Sequence, residues 1–120
     1  MTTPNQSSTI ATSQLPDVIT GYLTAHQARD IDTAISYYID DATVIDEGNT
    51  YRGRQQISGW LRRSASEYTY TIELTGAQRI DEDHYVALHH LEGDFPGGVT
   101  DLRFTFALHE GRIAHLAIEP

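Results

Sequence analysis

The 120-residue chain is predicted to fold as an α+β domain, with three N-terminal helices packed on a strongly curved antiparallel sheet. Two observations predict it. Apolar residues recur at helical spacing as far as about Ser66, then switch to a period of two. The second half is also cut into strand-length pieces by polar or Gly-rich turns at Asp81-Glu82-Asp83, residues 93–98 and His109-Glu110-Gly111. Helices first and hairpin-linked strands after is the order of an α+β domain, and this length supports one core rather than two.

Met1 to Ser13 is rich in Thr, Ser, Gln and Asn and has neither a basic nor an apolar leader segment. It reads as a disordered tail before a single domain of residues 14–120. Leu15, Val18, Ile19, Tyr22, Leu23 and His26 then line one helical face, with Ser13 as cap, Pro16 in the first turn and Asp17 at the positive end. Asp30 caps a second helix whose inner face carries Ile31, Ala34, Ile35 and Tyr38. Asp40-Asp41 ends it. Ala42 to Asp46 is a short strand with Val44 and Asp46 on one face, and Glu47-Gly48-Asn49 is a turn. The third helix runs from about Arg54 to Ser66 and buries Ile57, Trp60 and Leu61.

From Glu67 the alternation takes over. Tyr68, Tyr70, Ile72 and Leu74 face one way in the first long strand. His84 to Glu92 is the next strand. Thr100 to Leu108 follows with Leu102, Phe104, Phe106 and Leu108 on one side, and Arg112 to Ile118 closes the chain.

Composition excludes several functions. Eight Lys+Arg against seventeen Asp+Glu, a formal net charge of −9, offers no basic stripe for nucleic acid or for an anionic membrane surface. There is no cysteine, hence no disulfide, thiolate nucleophile or cysteine metal site. No apolar run reaches the roughly 20 residues that cross a bilayer. A cytoplasmic protein is expected. His89 and His90 are adjacent on a strand, so only one can face the interior, and no helical His pair or HExxH motif occurs. No metal is therefore expected.

Three stretches carry a resemblance. They are Ala28-Arg29-Asp30-Ile31-Asp32 followed by Tyr38-Ile39-Asp40-Asp41-Ala42-Thr43-Val44-Ile45-Asp46; Tyr51-Arg52-Gly53 leading into a helix with Ile57 and Trp60; and the ending from Leu102 to Ile113. On these, residues 14 to 119 resemble the NTF2-like superfamily, in its SnoaL-like branch of polyketide cyclases and ketosteroid-isomerase-like proteins. The resemblance implies an NTF2-like (cystatin-like) cone around one apolar pocket, a homodimer, and a small hydrophobic molecule as ligand. It places Asp46 at the position of the catalytic base, Tyr22 at that of the tyrosine donating to a developing oxyanion, and Trp60 at that of an aromatic lining the pocket. An acid on the penultimate strand shares the oxyanion in the isomerases; Asp101 fills it in one registration and Arg103 stands there in another. Glu47 stands where a proline is expected.

Each residue has a plainer alternative. Asp46 can be a strand-end carboxylate capping its turn, Tyr22 and Trp60 core packing, and an interior His89 or His90 a hydrogen-bonded structural residue. Arg52 and Arg54 are expected to pair with Asp40, Asp41 or Glu47. The function expected is a cofactor-free acid/base enzyme, of isomerase, cyclase or dehydratase type, acting on a small hydrophobic carbonyl or polycyclic compound. Asp46, Tyr22 and Asp101 would act catalytically, with Trp60, Tyr38, His89 and His90 around the substrate. The alternative is a non-catalytic ligand-binding or dimerising module, because this fold hosts both.

Overall fold

A computed structural model describes residues 8–67 and 69–120. The Tyr68 position of the alternating strand lies outside the described residues, as does the first half of the expected tail. The elements follow in the order β1 (Ser8–Ile10), a single 3-10 turn (Thr12–Gln14), α1 (Asp17–Gln27), α2 (Ile31–Ser36), β2 (Tyr38–Asp46), β3 (Asn49–Arg52), α3 (Gly53–Glu67), β4 (Tyr70–Arg79), β5 (His84–Gly93), β6 (Val99–His109) and β7 (Arg112–Glu119). The strands form one curved sheet in the order β1-β4-β5-β6-β7-β2-β3.

Local chemistry accounts for most boundaries. Pro16 pushes Leu15 into extended backbone (φ −63°, ψ 143°), so α1 starts at Asp17 rather than from a Ser13 cap. α1 ends in a Schellman motif. Asp30 N–H donates to the Ala25 carbonyl at 2.9 Å and Arg29 N–H to the His26 carbonyl at 3.1 Å. That motif puts Arg29 at φ 59°, in a left-handed position that usually belongs to glycine. Asp30 caps α2 as expected, its carboxylate accepting from the Thr33 amide at 3.3 Å and the Thr33 hydroxyl at 2.7 Å.

Three expectations are corrected. Residues 8–10 of the supposed tail pair with β4, Ser8 opposite Arg79 and Ile10 opposite Ala77. Tyr38 is not the last residue of a helix but the first of β2, because the β-forming run Tyr37-Tyr38-Ile39 takes up a partner strand. The sheet is also not wholly antiparallel: β2 runs parallel to β7, with Val44 beside Leu116 and Asp46 beside Ile118. β3 (Asn49–Arg52) is an additional strand that the sequence pattern does not predict. Glu47 and Gly48, both at positive φ (51° and 77°), turn β2 straight back into it, the signature of a tight two-residue hairpin.

The core lies between the helices and one face of the sheet. Ile19, Tyr22, Ala34, Tyr38, Val44, Ile57, Leu61, Phe106, Ile113 and Leu116 are all fully or almost fully buried there. Arg54 ties α3 to β2, pairing with Asp40 at 3.0 Å and donating from Nε to the Tyr38 carbonyl at 3.1 Å.

Candidate functional site

At the end where β2 turns into β3, the sheet and α3 separate and leave a cleft of about 670 Å3. The hairpin fixes Asp46 as the last residue of β2, paired with Asn49 on one side and Ile118 on the other. α3 brings in Trp60, β6 contributes Leu102 and Phe104, and α1 contributes His26. Trp60 Nε1–H donates to Asp46 Oδ2 at 3.0 Å. Burial pushes the Asp46 carboxyl above its ordinary range, and the Glu67 charge adds to this. The Trp60 N–H and the Glu47 backbone N–H pull the other way, because both favour the carboxylate. An Asp poised in this manner can hold or release a proton nearer neutrality than a surface one.

Rings back this carboxylate. Tyr51 stacks on Trp60 at 6.0 Å between centroids, His26 lies against Trp60 at 6.1 Å, and the Arg63 guanidinium sits 5.4 Å over Tyr51. His26 is partly buried against Phe104 (6.5 Å) as well, and desolvation lowers its pKa to about 4. His89 is buried against Phe104 at 4.3 Å, its Nδ1 without a hydrogen-bond partner among the described residues; burial, reinforced by neighbouring His26, lowers its pKa to about 4. Both rings are therefore neutral at pH 7. A neutral imidazole can donate one N–H without bringing a charge. Among the described residues, no three His, Asp or Glu side chains converge as metal ligands would.

These shifts predict a pH dependence of stability. Between pH 6.5 and about 4 the unfolded chain takes up protons on His26 and His89 that the folded chain refuses. Stability should fall as pH falls through that window. Urea midpoints at pH 7 and 4.5 are expected to differ more for the parent than for a His26→Gln, His89→Gln double variant. Equal pH dependence in both would refute the neutral-histidine assignment.

Apart from His89, buried against Phe104, the sequence-derived site residues separate into three groups. Asp46 and Trp60 meet in the cleft. Tyr22 and Tyr38 are fully buried behind its wall, their rings edge-on at 5.1 Å, and among the described residues neither hydroxyl makes a hydrogen bond of good geometry, although the two act on each other. Burial raises both phenols well above their ordinary value; the nearby Tyr38 hydroxyl offsets part of the effect on Tyr22. Asp101 and His90 lie on the opposite face of the sheet. They are cross-strand partners, joined from His90 Nδ1 to Asp101 Oδ1 at 2.7 Å with the Asp101 side chain 82% exposed. Expected at the oxyanion and the substrate, they are instead brought to the outer surface, because inward Leu102 and Phe104 force residues 101 and 103 outward. Arg103 likewise reaches Gln78 on that face, at 3.4 Å.

His26, Tyr51 and Tyr70 line the cleft without having been singled out. His26 was visible as one turn beyond Tyr22 on the same helical face. Tyr51 was obscured because β3 went unrecognised.

The model of the SnoaL-like domain family matches residues 19–116. No curated protein matches the chain. Among solved structures, a Sinorhizobium meliloti protein proposed to be a polyketide cyclase shares 29% identity at a TM-score of 0.85, covering 92% of this chain and 100% of that one. A Catenulispora acidiphila protein of ketosteroid-isomerase-like fold, solved with trimethylamine, matches at 21% identity and TM-score 0.76, with 88% and 85% of the chains covered. A Mycobacterium tuberculosis protein solved with estradiol-17beta-hemisuccinate matches at 14% and 0.72, covering 86% and 90%.

Proposed function

The chain belongs to the SnoaL-like domain family, and from that premise we propose that it is a cofactor-free acid/base enzyme acting on a small hydrophobic carbonyl compound bound in the cleft. One observation carries the reading: the half-buried Asp46 carboxylate, aligned by the Trp60 N–H and raised in pKa, opens on a cleft that Ile72, Leu102 and Phe104 help to line. Asp46 takes a proton from the carbon beside the carbonyl. The N–H of neutral His26, whose ring lies against Trp60 in the same cleft, donates to the oxygen on which the enolate charge gathers. Protonated Asp46 then returns the proton to another carbon; where the enolate carbon instead attacks a second carbonyl of the same molecule, a C–C bond forms as the C=O π bond breaks, and Asp46 gives its proton to the resulting alkoxide. The substrate size fits a cavity of this volume, and steroid and polyketide chemistry occur in the names of the structural relatives.

A second reading has its own support. Tyr22 is sealed behind the wall and Asp101 faces outward, so the expected oxyanion pair does not stand beside Asp46. In that reading the same cleft binds an apolar ligand without turning it over. NMR titration of the Asp46 carboxyl carbon separates the two. The enzyme reading expects a midpoint above the ordinary aspartate value of 3.8; a midpoint at or below that value favours the binding module.

A further inference from the structure

We propose that the cleft continues behind His26 into a second, anion-binding compartment, where Arg29 and Tyr70 hold the carboxylate of a hydrophobic acid whose body lies in the main cleft. This rests on the main cleft being the ligand site, and not on its being catalytic. A cavity of about 200 Å3 lies among the end of α1, α2, α3 and the start of β4. It shares His26, Tyr70 and Ile72 with the larger cleft, so these three border both compartments.

The compartments have opposite charge. Asp46, Glu47, Glu67 and Glu119 all line the larger one, with Arg63 stacked on Tyr51. No carboxylate lines the smaller one among the described residues, in a chain with seventeen of them, and its cation is Arg29. Among the described residues no acid lies within ion-pairing distance of that guanidinium.

Tyr70 connects the two ends. Burial raises its phenol; the Arg29 cation counters that from one side and the Asp46 carboxylate reinforces it from the other. Both charges therefore act on the hydroxyl of a residue that borders both compartments. A ligand carboxylate set against Arg29 and the Tyr70 hydroxyl is kept away from the acids of the larger compartment. Its apolar body then passes His26 and reaches Asp46. The ligand is oriented by charge, with the reacting end fixed by the opposite end.

The test uses the full chain and two matched probes, 1-naphthylacetate and its primary amide, followed by the emission of Trp60, the single tryptophan. The acid is expected to bind about tenfold more tightly than the amide. Arg29→Asn is expected to abolish that preference while leaving amide affinity within about twofold. Asparagine tolerates the left-handed backbone at this position, so the variant should fold, which a melting curve checks. Equal or weaker binding of the acid to the parent, or an acid preference that survives Arg29→Asn, overturns the anion compartment and leaves the cleft reading standing. No response of Trp60 to either probe removes both.

Discussion

Asp46→Asn is expected to lower turnover about 10²–10⁴-fold, the span that a positioned general base contributes, while the protein melts no earlier than its parent. Asparagine keeps the shape and still offers an oxygen to the Trp60 N–H, now 3.0 Å from Oδ2. What it loses is the ability to take a proton. The stability half of the expectation follows from the sign of the Asp46 shift. Its folded pKa is raised by burial, so the ionised form opposes folding, and stability from this group increases as pH falls through the folded pKa. A neutral amide removes that opposition at pH 7. Activity would be measured on a substrate found by a binding screen against steroids, polyketides and terpenoids, and stability by thermal melting. Turnover unchanged in the variant would withdraw the base assignment and leave the ligand-binding reading.

Phe106→Ala should cost about 3–5 kcal/mol of stability, a large share of the 5–15 kcal/mol typical of a domain. Phe106 is fully buried on β6, edge-on to Tyr22 at 6.0 Å and tilted against Phe104 at 6.4 Å. Its neighbours are rings and aliphatic side chains held from three elements, which limits how far they can close a void. The loss would be read from urea unfolding as a drop in midpoint at constant slope. A cost under about 1 kcal/mol would show that the interior collapses around the gap, and that the wall behind the cleft is looser than its burial suggests. The two substitutions divide the molecule: one removes chemistry and spares the fold, the other does the reverse.

The sequence was most informative where a pattern repeats. The switch of period after α3, the Asp30 cap and the positions of Ile57, Trp60 and Leu61 all follow from spacing and side-chain chemistry. Asp46 was reached through a resemblance, and it lines the cleft with its carboxylate against the Trp60 N–H. Tyr38 was harder, because it fits both the end of a helical face and the start of a strand; only pairing with β7 decides between them. β3 is four residues long, too short for alternation to register. The placement of Asp101 had a different cause. Alternation of Leu102, Phe104 and Phe106 already sets residues 101 and 103 on the outer face, and analogy with the isomerases had suggested the reverse. His26 carried no motif at all. Its environment is built from α1, α3 and β6, and no local stretch of chain contains it.

The parallel pairing of β2 with β7 has a consequence for how the molecule comes into being. The strand that bears Asp46 is made early, yet one of its two neighbours is the last strand of the chain, so Ile118 has to be in place before the ladder beside Asp46 is complete. Contacts this distant in sequence slow folding, since the entropy of closing the intervening loop is lost before they form. During synthesis the acid would wait, with its hairpin and α3 as support, until β7 had left the ribosome. Chains cut short before Arg112 should then hold helices and hairpins but no finished cleft.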